Sequence, residues 1–188
     1  MNKNLKFKTK NFQSGFTLIE AVVATALFAF VVSSILGVYV STIQLDRKTR
    51  AQRSVAQNAR FITDFFAKEV RNGVIDYSGS TCTNSATTFC LINQGSLSEK
   101  FTWNGADTLV LNKNGSTTNL NTSSAKVTKL TFWVAPAGNP YTSAKTYNEQ
   151  PHVTIILELT SNYGNKPTDV AKLNLEESFA TRNYPSRK

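Results

Sequence analysis

The feature that most constrains this chain is a run of twenty-five residues, 16–40, in which Glu20 is the only charged side chain. A helix of that length rises about 37 Å, enough to cross the hydrocarbon core of a bilayer. The leader before the run has no acidic residue, and it carries Lys3, Lys6, Lys8 and Lys10. We therefore expect one membrane-spanning helix near the N-terminus.

The formal charge of +9 is unevenly distributed along the 188 residues. Residues 1–15 carry +4, residues 41–74 carry +4 (seven basic, three acidic), and residues 75–188 carry only +2 (ten basic, eight acidic). The C-terminal part is nearly balanced, so the high pI is weak evidence for nucleic-acid binding. The leader lysines favour a cytoplasmic N-terminus, but Arg47, Lys48, Arg50 and Arg53 just beyond the apolar run nearly balance them, so charge alone leaves the orientation almost undecided.

An ordinary secretory signal peptide and a plain signal anchor are alternative interpretations of the apolar run. A signal peptide has an apolar core of about 7–15 residues with a small-residue cleavage site beyond it. The segment Ala24-Thr25-Ala26 fits such a site, but it lies in the middle of the run. Neither alternative accounts for Glu20 near the membrane entry or for a Gly15-Phe16 junction directly before the run.

The segment Gly15-Phe16-Thr17-Leu18-Ile19-Glu20, with its basic leader, resembles the N-terminus of type IV prepilins, the precursors of pilin and pseudopilin subunits. The resemblance implies that a prepilin peptidase cuts after Gly15 and methylates Phe16. It also implies an assembly role for Glu20, because a carboxylate costs about 2.5–3.5 kcal/mol near the bilayer centre. The N-terminal amine of a neighbouring subunit could offset that cost. A carboxylate that only snorkels to the interface is the alternative.

The helical pattern continues beyond residue 40. Apolar residues at spacings of three and four form one stripe, and polar residues form the opposite face. The stripe is Val55, Ala59, Ile62, Phe66 and Val70, widened by Phe61 and Phe65, and the polar face is Arg53, Gln57, Arg60, Asp64, Lys68 and Arg71. We predict one helix from residue 16 to about residue 72, with Gly73 as its C-terminal cap.

A basic cluster follows the apolar run. Its members are Arg47, Lys48, Arg50, Arg53 and Arg60. Three interpretations remain open: a solvated face that also touches lipid headgroups, a contact between subunits, and direct DNA binding. DNA binding is the least favoured, because no aromatic residue is interleaved among residues 47–60 to stack on bases.

After Gly73 the pattern changes to the alternation of β-strands, with turn residues between the segments. Strands are predicted around 100–103, 108–112, 130–134, 153–159 and 171–175, and turns at 104–105, 114–115, 138–140 and 163–165. Residues 78–98 and 114–125 are predicted to be polar loops. We expect an antiparallel sheet that packs on the apolar stripe, an α+β pilin fold.

Cys82 and Cys90 lie in a polar stretch with seven residues between them. A disulfide is the natural interpretation if this region is outside the cytoplasm. Two free thiols are an alternative, and a metal site is a poor one because no histidine lies nearby.

The C-terminal half resembles W-type minor pilins and the J-type pseudopilins of type II secretion. Residues 127–134 resemble one of their strands, and residues 176–184 resemble their closing strand. Other minor pilins and competence pseudopilins remain alternatives.

We find no catalytic or metal-binding constellation and expect no enzyme and no cofactor. His152 is the only histidine and is expected to be structural, while Glu176 and Glu177 are adjacent and so lie on opposite faces of a strand. A Gly-rich phosphate loop and the hydrolase and zinc-protease motifs are missing from the sequence.

These observations predict a leader (1–15), a transmembrane or filament-core helix (16–40), an amphipathic continuation (41–73) and a β-rich head (74–188). The expected function is a minor pilin or pseudopilin that primes or caps a type IV pilus or a secretion pseudopilus. The alternative is a DNA- or surface-binding tip subunit of a competence pilus. Expected partners are a prepilin peptidase, other minor and major pilins or pseudopilins, an inner-membrane assembly platform and lipid, with DNA disfavoured. The precursor is expected in the cytoplasmic membrane with its head outside.

Overall fold

The computed structural model describes residues 15–79, 82–140, 149–163 and 169–182. The leader before Gly15 lies outside these residues. So do Gly164 and Asn165 of a predicted turn, and Asn183 and Tyr184 of the predicted closing strand. The chain divides into two compact units, Met1–Ile43 and Gln44–Lys188.

The first unit contains the start of helix α1, which runs from Leu18 to Asn72. Large apolar side chains are exposed along residues 16–40, and Val32 is half-buried. The segment contains no proline, and a helix is favoured because it satisfies the backbone polar groups of an apolar segment internally. An apolar helix that is exposed all round needs an apolar environment.

In the second unit, α1 buries one face. The buried residues include the whole predicted stripe, Val55, Ala59, Ile62, Phe66 and Val70, while the predicted polar face is exposed. The amphipathic prediction is thus confirmed for both faces. Asn58 and Thr63 are also buried on this helix, and Asn58 Oδ1 accepts a hydrogen bond from the backbone N–H of Thr122 at 2.9 Å.

The β-rich part of the second unit consists of two antiparallel sheets. The first sheet has five strands that neighbour one another in chain order: β1 Val74–Ile75, β2 Thr88–Ile92, β3 Ser98–Trp103, β4 Leu109–Lys113 and β5 Ser116–Asn119. The second sheet has three strands, also in chain order: β6 Ala125–Ala135, β7 His152–Ser161 and β8 Lys172–Ala180. The helix and sheets confirm an α+β, pilin-like architecture.

Hydrogen bonds join the two sheets along the edge of β6. The N–H of Val127 donates to the carbonyl of Asp107 at 2.9 Å, and its carbonyl accepts from Trp103 Nε1 at 3.2 Å. Further along, the N–H of Phe132 donates to the carbonyl of Ala86 at 2.8 Å. These bonds satisfy polar backbone groups that an edge strand would otherwise leave open.

The core lies between α1 and the inner faces of both sheets. Phe66 is fully buried at its centre, and its ring centroid lies 5.1–5.7 Å from those of Phe89, Phe101, Phe132 and Phe179. Four aromatic partners from four strands thus converge on one helical residue. Aromatic pairs at this separation stabilise beyond the burial of their area.

The expectation of a single sheet was wrong, and so were both loop predictions. Residues 78–98 contain β2, in which Phe89, Cys90 and Leu91 are consecutively buried. Consecutive burial hides the alternation that marks a strand facing solvent on one side. Residues 114–125 contain β5, whose four residues are all exposed and polar. It forms because the Asn114-Gly115 turn, with φ of 50° and 88°, closes a tight hairpin with β4.

Two smaller expectations also needed correction. Phe61 is 54% exposed and does not widen the buried stripe, although Phe65 packs against the core. Gly73 follows the last helical residue as predicted, but its φ is not in the left-handed region. A Cβ at Gly73 would lie 2.7 Å from Leu91 Cγ, so close packing on β2 explains the glycine.

Candidate processing, anchoring and assembly site

The Gly15-Phe16 junction lies just before the helix. Residues 15–17 are not helical, Phe16 is 74% exposed, and no atom outside its immediate neighbours lies within 4 Å of a Cβ built on Gly15. Among the described residues, which begin at Gly15, none blocks access to the Gly15–Phe16 peptide bond. A protease can reach a bond of this kind without first unwinding a helix.

Thr17 caps the helix N-terminus together with Glu20. The backbone N–H of Glu20 donates to Thr17 Oγ1 at 3.3 Å, and Thr17 Oγ1 donates to the Glu20 carboxylate at 3.5 Å. The carbonyl of Thr17 accepts from the N–H of Ala21 at 3.1 Å. The Thr17 side chain thus acts as an N-cap, and the Glu20 carboxylate meets the Thr17 hydroxyl rather than the Thr17 backbone N–H of a full capping box. Sequence reasoning missed Thr17, although the Thr-x-x-Glu spacing before an apolar run was the signal.

Six Ser and Thr hydroxyl groups between residues 25 and 49 of α1, three of them within the apolar run, are satisfied by the helix itself. Thr25 donates to the carbonyl three residues earlier, and five others donate to the carbonyl four residues earlier, at distances of 2.8–2.9 Å. Those five are Ser33, Ser34, Ser41, Thr42 and Thr49. These polar side chains therefore do not need water, which suits a helix in lipid.

Helix α1 is long and apolar enough, by length and composition, to cross a membrane, and its most apolar window is not buried. Glu20 is exposed within this part of the helix. The structure places Gly15, Phe16 and Glu20 together at its N-terminal end.

The basic cluster is exposed along the following part of α1. Arg47, Lys48, Arg50, Arg53 and Arg60 are all exposed, while Ala51 and Val55 on the same stretch are buried. Arg50 forms an i,i+4 ion pair with Asp46 at 2.9 Å. All five side chains therefore remain open to solvent.

Cys82 and Cys90 are joined as a disulfide, with their Cα atoms 5.9 Å apart. Cys90 is fully buried in β2, and Cys82 is half-buried in the preceding loop. Asn84 lies inside the closed loop, and its Oδ1 accepts from the backbone N–H of Cys90 at 2.8 Å. The disulfide and this hydrogen bond hold the loop against the strand.

A buried charged cluster connects α1 with the first sheet. Glu99 on β3 is fully buried, and its Oε1 pairs with Lys113 Nζ and accepts from Asn93 Nδ2 at 2.9 Å. Burial raises the pKa of the nearby Glu69 carboxyl on α1, and the negative charge of Glu99 raises it further. The hydrogen bond to Glu99 raises the pKa of Lys113. Sequence reasoning missed this cluster, since alternation does not reveal which charged residue turns inward.

The His, Cys, Asp and Glu side chains of the described part of the chain are the groups that metal and acid–base chemistry would use. No group of three or more His, Cys, Asp or Glu side chains there could hold a metal ion. His152 is exposed at the first residue of β7, and Glu176 and Glu177 lie side by side in β8. A solvent-open cleft lies between α1 and β8, and most of its lining residues are polar.

A comparison with protein families matches residues 10–36 to the prokaryotic N-terminal methylation motif. The chain therefore carries a type IV prepilin-like signal, and the motif supports a type IV pilin-like protein. It implies processing by a prepilin peptidase and assembly with pilins, and with the apolar helix it fits a membrane-anchored precursor. It suggests a structural subunit. No curated protein and no solved structure matches the chain significantly.

Proposed function

We propose that this protein is a minor pilin or pseudopilin, a non-catalytic subunit that primes or caps a type IV pilus or a type II secretion pseudopilus. It is cleaved after Gly15, methylated on Phe16, and assembled through its N-terminal helix with other minor and major subunits at an inner-membrane platform. The precursor spans the cytoplasmic membrane with its N-terminus inside and its head outside. The observation that carries the proposal is the methylation motif at residues 10–36, followed by an apolar helix with exposed side chains.

The geometry of the helix start supports the processing step. The scissile bond precedes the first helical residue, and the exposed Phe16 leaves room for a peptidase. The proposed segments are the leader 1–15, the spanning helix 16–40, its continuation 41–73 and the head 74–188. Glu20 lies in the first turn of the helix, four positions after the new N-terminal residue, Phe16. When helices pack side by side, the N-terminal amine of a neighbouring subunit can therefore meet its carboxylate.

The experiment that tests processing is the intact mass of the membrane-extracted protein from its own cells, beside a Gly15→Ala variant. We expect the wild type to lack residues 1–15 and to carry one added methyl group on Phe16, and the variant to keep its leader. An uncleaved wild-type chain, or one cut after Ala26, would contradict the proposal and leave a signal-anchored or secreted domain.

Assembly is tested separately with Glu20→Gln, because this change removes the charge and keeps the shape. Asp46→Asn is the matched control, an exposed acid on the same helix but outside the apolar run. Incorporation into filaments sheared from cells should fall at least tenfold for Glu20→Gln and stay unchanged for Asp46→Asn. Equal incorporation of both variants would remove Glu20 from the assembly mechanism.

A tip subunit that binds a surface or DNA is the second candidate. One observation favours it: Trp133 on β6 is 70% exposed, opposite Thr154 on β7. Exposed tryptophan is common where proteins bind partners. A Trp133→Ala variant that assembles normally but loses surface attachment or DNA uptake would support this role, and unchanged attachment and uptake would contradict it.

A further inference from the structure

Four cations form a collar on α1 just beyond the apolar run. We use the term cationic collar for Arg47, Lys48, Arg50 and Arg53, all of which are exposed. Only Arg50 has an ion-pair partner among the described residues, Asp46. The other three cations therefore keep their charge open to an external partner.

The collar surrounds most of the helix. At about 100° per residue, the four side chains leave the axis near 0°, 100°, 300° and 240°, counted from Arg47. A single protein partner would be met by cations on one side of the helix. A surrounding plane of charge meets cations on all sides, and the headgroup layer of a bilayer is such a plane.

The collar is also at the right distance along the chain. Arg47 lies seven positions beyond Val40, the last residue of the apolar run. That is about 10 Å if the segment is helical and no more than about 25 Å if it is fully extended. The headgroup layer adds roughly 5–8 Å beyond the hydrocarbon, and charges act over about 8–10 Å at physiological salt. Long Arg and Lys side chains can bridge the remainder.

We propose that the cationic collar binds the headgroups of anionic phospholipids at the membrane surface from which the head emerges. The inference rests on the membrane anchoring proposed above and not on filament assembly. Residues 41–60 contain no aromatic side chain for base stacking, which disfavours single-stranded nucleic acid as the ligand. Arg60 is thirteen residues beyond Arg47 and is too far along the helix to belong to the collar.

The test uses the full-length chain in neutral detergent, titrated with phosphatidylglycerol or phosphatidylcholine and read by native mass spectrometry. The test variant is Arg47→Gln/Lys48→Gln/Arg53→Gln, which leaves the Arg50–Asp46 pair intact. The matched control is Lys126→Gln/Lys129→Gln/Lys172→Gln, which removes three exposed cations from the second sheet. Thermal unfolding of all three proteins checks that the fold is kept.

We expect the wild type and the control to prefer phosphatidylglycerol over phosphatidylcholine. The collar variant should lose this preference by roughly fivefold for each cation removed. A preference that is missing from the wild type, or that falls equally in both variants, would overturn the proposal. So would a DNA duplex that displaces phosphatidylglycerol and binds the collar more tightly, since the collar would then be a nucleic-acid site.

Carbonate extraction of membranes separates this inference from the proposed function. A wild-type chain released by carbonate would contradict membrane anchoring itself. An anchored chain without a preference for phosphatidylglycerol would contradict only the lipid-binding collar.

Discussion

Glu99 and Lys113 lie directly opposite each other in the β3–β4 register and form an ion pair, although the Glu99 side chain has no exposed surface. One carboxylate oxygen, Oε2, has no hydrogen-bond partner. Burial of a charge is costly unless a partner offsets it. The ion pair with Lys113 therefore offsets part of the free-energy cost of burying Glu99.

Replacing Lys113 with Met should lower the free energy of unfolding by about 2–3 kcal/mol, because the buried Glu99 carboxyl would lose the cation that pairs with it. Urea unfolding followed by tryptophan fluorescence measures the loss. Lys126→Met, on an exposed position, should change stability by no more than about 0.5 kcal/mol. Adding Glu99→Gln to Lys113→Met should recover part of the loss, and its failure to do so would mean that the charge is not the cause.

The stability contributed by Glu69 should fall as the pH rises. Burial, and then the charge of Glu99, raise the pKa of this carboxyl above its usual value of 4.5, while Lys113 opposes the shift. The folded protein then binds more protons than the unfolded chain, so the contribution is fully present below pH 4.5 and is lost as the pH passes the raised pKa. Urea unfolding across this range should show Glu69→Gln gaining stability relative to wild type with rising pH. A difference that stays constant with pH would contradict the linkage.

Phe66 and Phe61 form a matched pair on one helix. Phe66→Ala should cost about 3–5 kcal/mol, because it removes a fully buried ring that contacts four aromatic partners. Phe61→Ala should cost less than about 1 kcal/mol, since the ring is mainly exposed and has Phe65 as its ring neighbour. Denaturant midpoints compare the two changes directly. If both changes lowered the free energy of unfolding equally, Phe66 would not be the centre of the aromatic core.

The Cys82–Cys90 disulfide should contribute roughly 2–3 kcal/mol by restricting the unfolded chain. A Cys82→Ala/Cys90→Ala variant and the reduced wild type should therefore both unfold at lower urea concentration than the oxidised protein. Reduction should have no effect on the variant, which serves as the control for side effects of the reductant. If the reduced and oxidised wild type unfold together, the bridge does not stabilise the head.

The long helix and its buried stripe were predictable from the sequence. Apolar residues spaced three and four apart lie on one face of a helix whatever sheet that face packs on. Phe61 was misassigned because it precedes the buried Ile62 by one residue, which rotates it about 100° away from the core. The position of Gly73 was predictable as a helix end. Its physical reason, contact with Leu91, depends on a strand that the sequence pattern did not reveal.

The division of the strands into two sheets and the burial of Glu99 could not be predicted, because both depend on contacts that the local sequence pattern does not show. Strand β2 is buried because the helix covers one of its faces and the disulfide loop covers the other. Glu99 is buried because Lys113 on β4 pairs with it. Such pairings are set by contacts between residues distant in the chain. At the N-terminus, by contrast, the relevant contacts are three or four residues apart, so local sequence carries nearly all of the signal.

The capping contacts of α1 have a consequence for maturation. Thr17, Glu20 and Ala21, which fix the first turn, all lie on the C-terminal side of the Gly15–Phe16 bond. A cut there would remove the leader without removing any atom that starts the helix. The start of α1 would then be the same before and after the cut, so that a membrane-resident pool could be processed at any time without refolding of this helix.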